Sequence, residues 1–195
     1  MIRVGITGGI GSGKSTVCKI IEVLGGAVYY TDTEAKRLMN SAPEIIGDIT
    51  ALLGEEAYCE GVLNNKYVAQ KVFAVPDLLK KLNGIVHPAV FADFDAWSRR
   101  QSSDIVFLES AILIESGLAD KMDKVIVVTA PEELRIRRTV KRDGIPEDAV
   151  RARIAKQLTD TERIAYADFI ITADDICLVI PQVVSLYRKL LQEAG

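Results

Sequence analysis

Gly8-Gly9-Ile10-Gly11-Ser12-Gly13-Lys14-Ser15 is the stretch whose residue types and spacing speak most directly of chemistry. It matches G-x-x-x-x-G-K-[ST], a pattern that holds phosphate when it joins a strand to a helix. Glycines let backbone N–H groups turn inward around an anion with no Cβ in the way. A helix that begins at the phosphates adds the favourable end of its dipole. In this reading Gly9, Gly11, Ser12 and Gly13 supply the cradle, and Lys14 reaches the β- and γ-phosphates of ATP. Ser15 offers its hydroxyl to Mg²⁺, and Thr16 adds a phosphate contact.

Three further groups have types suited to the same chemistry. Asp32 directly follows a short apolar run, at the edge of a sheet where ligands bind, facing the loop from the neighbouring strand. There it either accepts a hydroxyl proton or caps the next helix. Glu109 closes another apolar run, either as a carboxylate reaching Mg²⁺ through water or as an ordinary acid ending a strand. Arg138 and Arg142 are spaced to share a helix face beside the break at Gly144, suited to clamping phosphates in transfer. Arg135, Arg137, Lys141, Arg151 and Arg153 read as a solvated face, and Glu115 as a helix-start charge. His87, before Pro88, reads as a turn or capping residue more readily than as part of an acceptor site.

The elements that must hold these groups alternate. Residues 2–7, 27–30, 105–108, 125–128 and, more weakly, 169–171 are short apolar runs, and amphipathic stretches such as 14–24 lie between them. Continuous apolar strands alternating with helices predict an α/β fold with a parallel sheet. Residues 41–102 hold helical pieces and no convincing strand, which predicts a helical insertion. Residues 138–160 are rich in arginine and broken at Gly144 and Pro146, which predicts a helical lid over the phosphates. The core is then about 1–40, 103–137 and 161–195.

Composition narrows the function. The chain has 195 residues, 49% of them hydrophobic and 26% charged, with a net charge of −3, which argues for one globular chain and against a general duplex binder. Cys18, Cys59 and Cys177 form no C-x-x-C and have one histidine to join them, so a zinc site or disulfide framework is not expected. No run suits a membrane span or a signal peptide, and the expectation is a cytoplasmic protein without nucleic acid, membrane or obligate protein partner. Thr129-Ala130-Pro131-Glu132 is unlike a guanine-reading Asn-Lys-x-Asp, which leaves a compact small-molecule kinase. A nucleoside monophosphate kinase and a nucleotide-gated switch are the alternatives.

Taken together, these residues resemble the dephospho-coenzyme A kinase family from residue 2 to about 192. Its narrowest match is Thr7-Gly8-Gly9-Ile10-Gly11-Ser12-Gly13-Lys14-Ser15-Thr16. Thr31-Asp32, Val86-His87-Pro88, Arg138-Thr139-Val140-Lys141-Arg142-Asp143-Gly144, Gln157 and Ala167-Asp168-Phe169-Ile170-Ile171 are similar to further family segments. The resemblance implies a P-loop kinase fold and ATP-dependent phosphorylation of the ribose 3′-hydroxyl of dephospho-coenzyme A, the last step of coenzyme A synthesis. It implies Asp32 as base or hydroxyl orienter, and Lys14, Arg138 and Arg142 as stabilisers of the phosphoryl group. It also puts Thr7, Asp32, His87 and Glu109 on the acceptor side, with the helical insertion 41–102 holding the acceptor. The chain departs from the family's Asp-Ala-Asp at Tyr30, from its Asp-x-Pro at Glu109 and Ala111, and from its Asn-Asp-Gly at Ala173-Asp174-Asp175.

Overall fold

The computed structural model describes residues 1–194, the side chain of Pro76 aside. Along the chain run β1 (Ile2–Thr7), α1 (Lys14–Val23), β2 (Ala27–Tyr30), α2 (Thr31–Ser41), α3 (Pro43–Leu53), β3 (Tyr58–Cys59), β4 (Val62–Leu63), α4 (Asn65–Ala74) and α5 (Pro76–Ser98). Then follow β5 (Ile105–Glu109), β6 (Lys124–Thr129), α6 (Glu132–Asp143), α7 (Glu147–Ile154), α8 (Asp160–Ile164), β7 (Phe169–Thr172) and α9 (Val179–Ala194). The chain divides into two compact units, Met1–Tyr30 with Gln101–Gly195, and Thr31–Arg100. No helix among the described residues is long and apolar enough to cross a membrane.

The first unit is a five-stranded parallel sheet in the order β2-β5-β1-β6-β7. Its central strands are buried on both faces, which is why they read as unbroken apolar runs rather than alternating ones. On one face Val17, Cys18 and Ile21 of α1 and Val183, Leu186, Tyr187 and Leu190 of α9 pack on Val4, Ile6, Phe107 and Ile126. Phe107 and Tyr187 stack with centroids 6.0 Å apart. On the other, Leu113 and Met122 crowd Gly5, where an added Cβ would lie 2.5 Å from Leu113 Cδ2. The order corrects one expectation: β5 separates β2 from β1, so Asp32 does not follow the strand beside the phosphate loop, whereas Glu109 ends that strand.

The second unit is built on α5. Leu82, Val86, Val90 and Phe94 recur at four-residue spacing and are buried, as are Leu38 of α2, Ile49 and Leu53 of α3, and Val68 and Val72 of α4. His87 and Pro88 lie inside α5, which overturns the turn reading of His87. A helix-interior proline loses one hydrogen bond and crowds the carbonyl four residues back, here that of Gly84. The unit also holds a strand pair that hydrophobic patterning missed: β3 and β4 form a hairpin turned by Glu60 and Gly61, with φ of 52° and 79°. Leu63 N donates to Asn40 Oδ1 at 2.8 Å and Tyr58 Oη to the Met39 carbonyl at 2.7 Å, which ties the hairpin to α2.

Candidate phosphate-transfer site

β1 carries the chain to the carboxyl edge of the sheet, and the loop from Gly8 to Gly13 turns it into α1. Gly13 caps α1 at φ 102°, a left-handed conformation that favours glycine. The Lys14 side chain folds back over the loop, its Nζ donating to the carbonyls of Gly8 at 2.8 Å and Gly9 at 3.4 Å. Ser15 and Thr16 are exposed in the first turn of α1. The hydroxyls of Thr7 and Ser12 are buried without a hydrogen-bond partner, which is uncommon in a folded interior. The contiguous residues singled out from sequence therefore do converge.

Glu109 ends β5 opposite Ile6, next to the strand that feeds the loop. Its charge helps push the Cys18 thiol and the Tyr30 hydroxyl upward, though burial is the larger cause for both. Asp32 lies in the first turn of α2, which starts at Thr31. Half-buried His87 is held below the ordinary imidazole range by desolvation.

Arg138 and Arg142, both on α6, part company. Arg138 Nη1 donates to the Gly11 carbonyl at 3.5 Å, and its Nη2 pairs with Asp175. Arg142 is turned to its own neighbour, Asp143, at 2.6 Å, and is exposed beside Gly144, which caps α6 at φ 67°. That pair holds the Asp143 carboxyl below its usual range. A cavity of about 280 Å³ beside the loop is walled by Gly13, Thr16, Arg138, Ala173, Asp175 and Val179. Its far side is the departure segment: Asp174 Oδ1 accepts from the N–H groups of Ile176 and Cys177 at 3.0 and 2.7 Å, and Asp175 sits at φ 66°.

Of the residues first read as ordinary charges, Arg135 is only 5% exposed and so leaves the solvated face. Arg151 stays on that face, paired there with the exposed Glu133 and Glu147. Glu115 starts no helix; its Oε1 accepts from Leu158 N at 3.4 Å and lies 3.5 Å from Arg163. Sequence reading passed over Arg163, which is fully buried. The only local signal near it is Thr159-x-x-Glu162, a capping box that starts α8 one turn earlier.

A parallel sheet whose first strand runs into a phosphate loop, with a helical unit and an arginine-rich helical hairpin, defines a P-loop kinase. The dephospho-CoA kinase family model matches residues 2–177. A dephospho-CoA kinase of Bacteroides fragilis is 42% identical over 193 residues, covering 98% of this chain and 94% of its own. A crystal structure of a Thermus thermophilus protein superposes with a TM-score of 0.85 at 30% identity, covering 100% of this chain and 98% of that one. A dephospho-CoA kinase from Campylobacter jejuni shares the fold at a TM-score of 0.71 and 23% identity, over 99% of this chain and 98% of that one. The chain belongs to the dephospho-CoA kinase family.

Proposed function

We propose that this protein transfers the γ-phosphoryl group of ATP to the ribose 3′-hydroxyl of dephospho-CoA, giving CoA and ADP. The observation that carries the reading is the phosphate loop itself. Lys14 rests on loop carbonyls, and the Thr7 and Ser12 hydroxyls are buried with no protein acceptor, a donor set suited to phosphate oxygens. Kinship supplies the acceptor. The hydroxyl oxygen bonds to the γ-phosphorus, the bond from that phosphorus to the ADP oxygen breaks, and the hydroxyl proton passes to the Asp32 carboxylate. Lys14, Arg138 and Arg142 balance the charge on the moving group. Thr7, His87 and Glu109 serve the acceptor side, and residues 41–102 hold the acceptor.

Ser15 and Glu109 present hard oxygen donors suited to Mg²⁺, and no three His, Cys, Asp or Glu side chains among the described residues form a metal cage. That sparse set suits an ion that keeps its water and phosphate ligands. Bound there, Mg²⁺ would neutralise β- and γ-phosphate charge. The cavity of about 280 Å³ takes the nucleoside end of ATP, since it continues from Gly13 and Thr16 away from the loop. The three cysteines are free, two of them exposed, which supports a reducing, cytoplasmic setting.

The test is the product. Incubation with Mg-ATP and dephospho-CoA, followed by mass and phosphorus NMR analysis, is expected to show one added phosphate on the 3′-oxygen and one ADP per CoA. Phosphate at another position, or none, overturns the reading.

A further inference from the structure

The outer wall of the phosphate loop is built from buried charge. A Cβ on Gly9 would lie 1.8 Å from Arg135 Nη1, and one on Gly11 would lie 2.3 Å from the Arg135 carbonyl oxygen and 2.7 Å from Thr139 Oγ1. Gly11 is therefore required by the backbone that presses on the loop from outside, whereas at Gly9 the Arg135 guanidinium would have to move aside. Behind Arg135 stands Arg163, its Nη1 3.5 Å from the same Cβ position on Gly9. The two guanidiniums share Asp160 at 3.6 Å, and Arg163 reaches Glu115 at 3.5 Å. Both Nε atoms lack a hydrogen-bond partner. Desolvation presses the Arg163 pKa downward against the pull of Glu115 and Asp160. The guanidiniums are buried while Asp160 and Glu115 keep contact with solvent, so pairing repays only part of the desolvation cost and stability alone does not account for the cluster.

One side chain joins this wall to the loop's apex. Gln157 Oε1 accepts from the backbone N–H of Ile10 at 2.9 Å, across 147 positions of sequence. Gln157 lies in the short segment leaving α7, and the next residue, Leu158, donates its N–H to Glu115 at 3.4 Å. The apex is thus fixed by the segment that carries the lid back to the core. We propose that Gln157, backed by Arg135 and Arg163, is a positioning residue that holds the phosphate loop in its anion-binding shape. It acts through Ile10 and touches no reacting atom. It also ties the shape of the loop to the place where the lid ends.

The experiment has two arms on the full chain. In the first, Gln157→Leu removes the acceptor, while Gln157→Glu keeps an acceptor oxygen. Gln157→Leu is expected to weaken Mg-ATP binding, read by a fluorescent ATP analogue, and to raise its KM, each about tenfold, with kcat within about twofold. Gln157→Glu is expected to recover most of that affinity in high salt, where its extra charge is screened. A Gln157→Leu protein that melts and binds Mg-ATP like the parent overturns the proposal. In the second arm, the Ile10 amide of the unaltered protein is followed by hydrogen exchange, which decides the matter even if the variant fails to fold. Exchange about a hundredfold slower than in a free peptide is expected. Exchange at the free-peptide rate overturns it. A protein whose Mg-ATP binding and Ile10 exchange behave as expected, yet that phosphorylates no acceptor, would refute the kinase assignment and leave the role of Gln157 standing.

Discussion

Lys14 holds two loop carbonyls that a polyphosphate must displace it from, while Asp32 stands in the first turn of α2. The residue-level expectation for Asp32→Asn is a fall in kcat of roughly 10²- to 10⁴-fold with the Kd for Mg-ATP unchanged. Stopped-time CoA formation together with nucleotide titration reads both, and near-normal turnover would remove Asp32 from proton transfer. Gly9→Ala tests the buried wall. Its methyl group would meet Arg135 Nη1 at 1.8 Å, so the guanidinium must shift in a packed interior. Overpacking of this kind costs about 1–3 kcal/mol, and urea melts should show the loss together with weaker ATP binding. A Gly9→Ala protein as stable as the parent would mean that Arg135 relocates freely.

Two helices carry predictions of their own. Pro88 leaves α5 without one backbone bond, so Pro88→Ala should stabilise the protein by about 1–3 kcal/mol in urea unfolding. A loss of stability instead would show that α5 needs its bend. α8 begins with a capping box in which Glu162 accepts from the Thr159 N–H and hydroxyl, and this holds the Glu162 carboxyl below its ordinary range. A carboxylate with a depressed folded pKa stabilises the fold above its unfolded value and loses that contribution as pH falls through the folded one. Glu162 should therefore titrate below the model-peptide midpoint by carbon NMR, and the α8 amides should lose protection across that acid range. Titration at the ordinary value would mean the box is open in solution. These elements also show what patterning could read. The phosphate loop was legible because strand, loop and helix are contiguous from Ile2 to Val23, and the central strands because burial on both faces makes them apolar throughout. Arg135 and Arg163 were not, because a charged residue counts as surface in any hydrophobic pattern. His87-Pro88 read as a turn because nothing in the local sequence says that α5 continues through its proline.

At the scale of the molecule, strand order lies outside any local pattern: nothing in residues 27–30 or 105–109 says that the later strand inserts between the earlier two. The turn at Glu60-Gly61 was the available hint of the hairpin, yet two-residue strands are too short for periodicity to mark. The division into two units gives a prediction that patterning alone could not frame. In hydrogen exchange read by mass spectrometry, Mg-ATP alone should protect the loop and α1, and dephospho-CoA alone should protect peptides from residues 41–102. Protection by dephospho-CoA confined to the sheet unit would remove the acceptor role from the helical one. Saturating Mg-ATP at about 100 times its Kd should add about 2.7 kcal/mol to the stability of the folded chain. The measurement that bears most directly on the central claim is ADP release from Mg-ATP with dephospho-CoA, AMP, CMP and no acceptor run side by side. The account predicts turnover with dephospho-CoA alone. Release with AMP or CMP and silence with dephospho-CoA would contradict it.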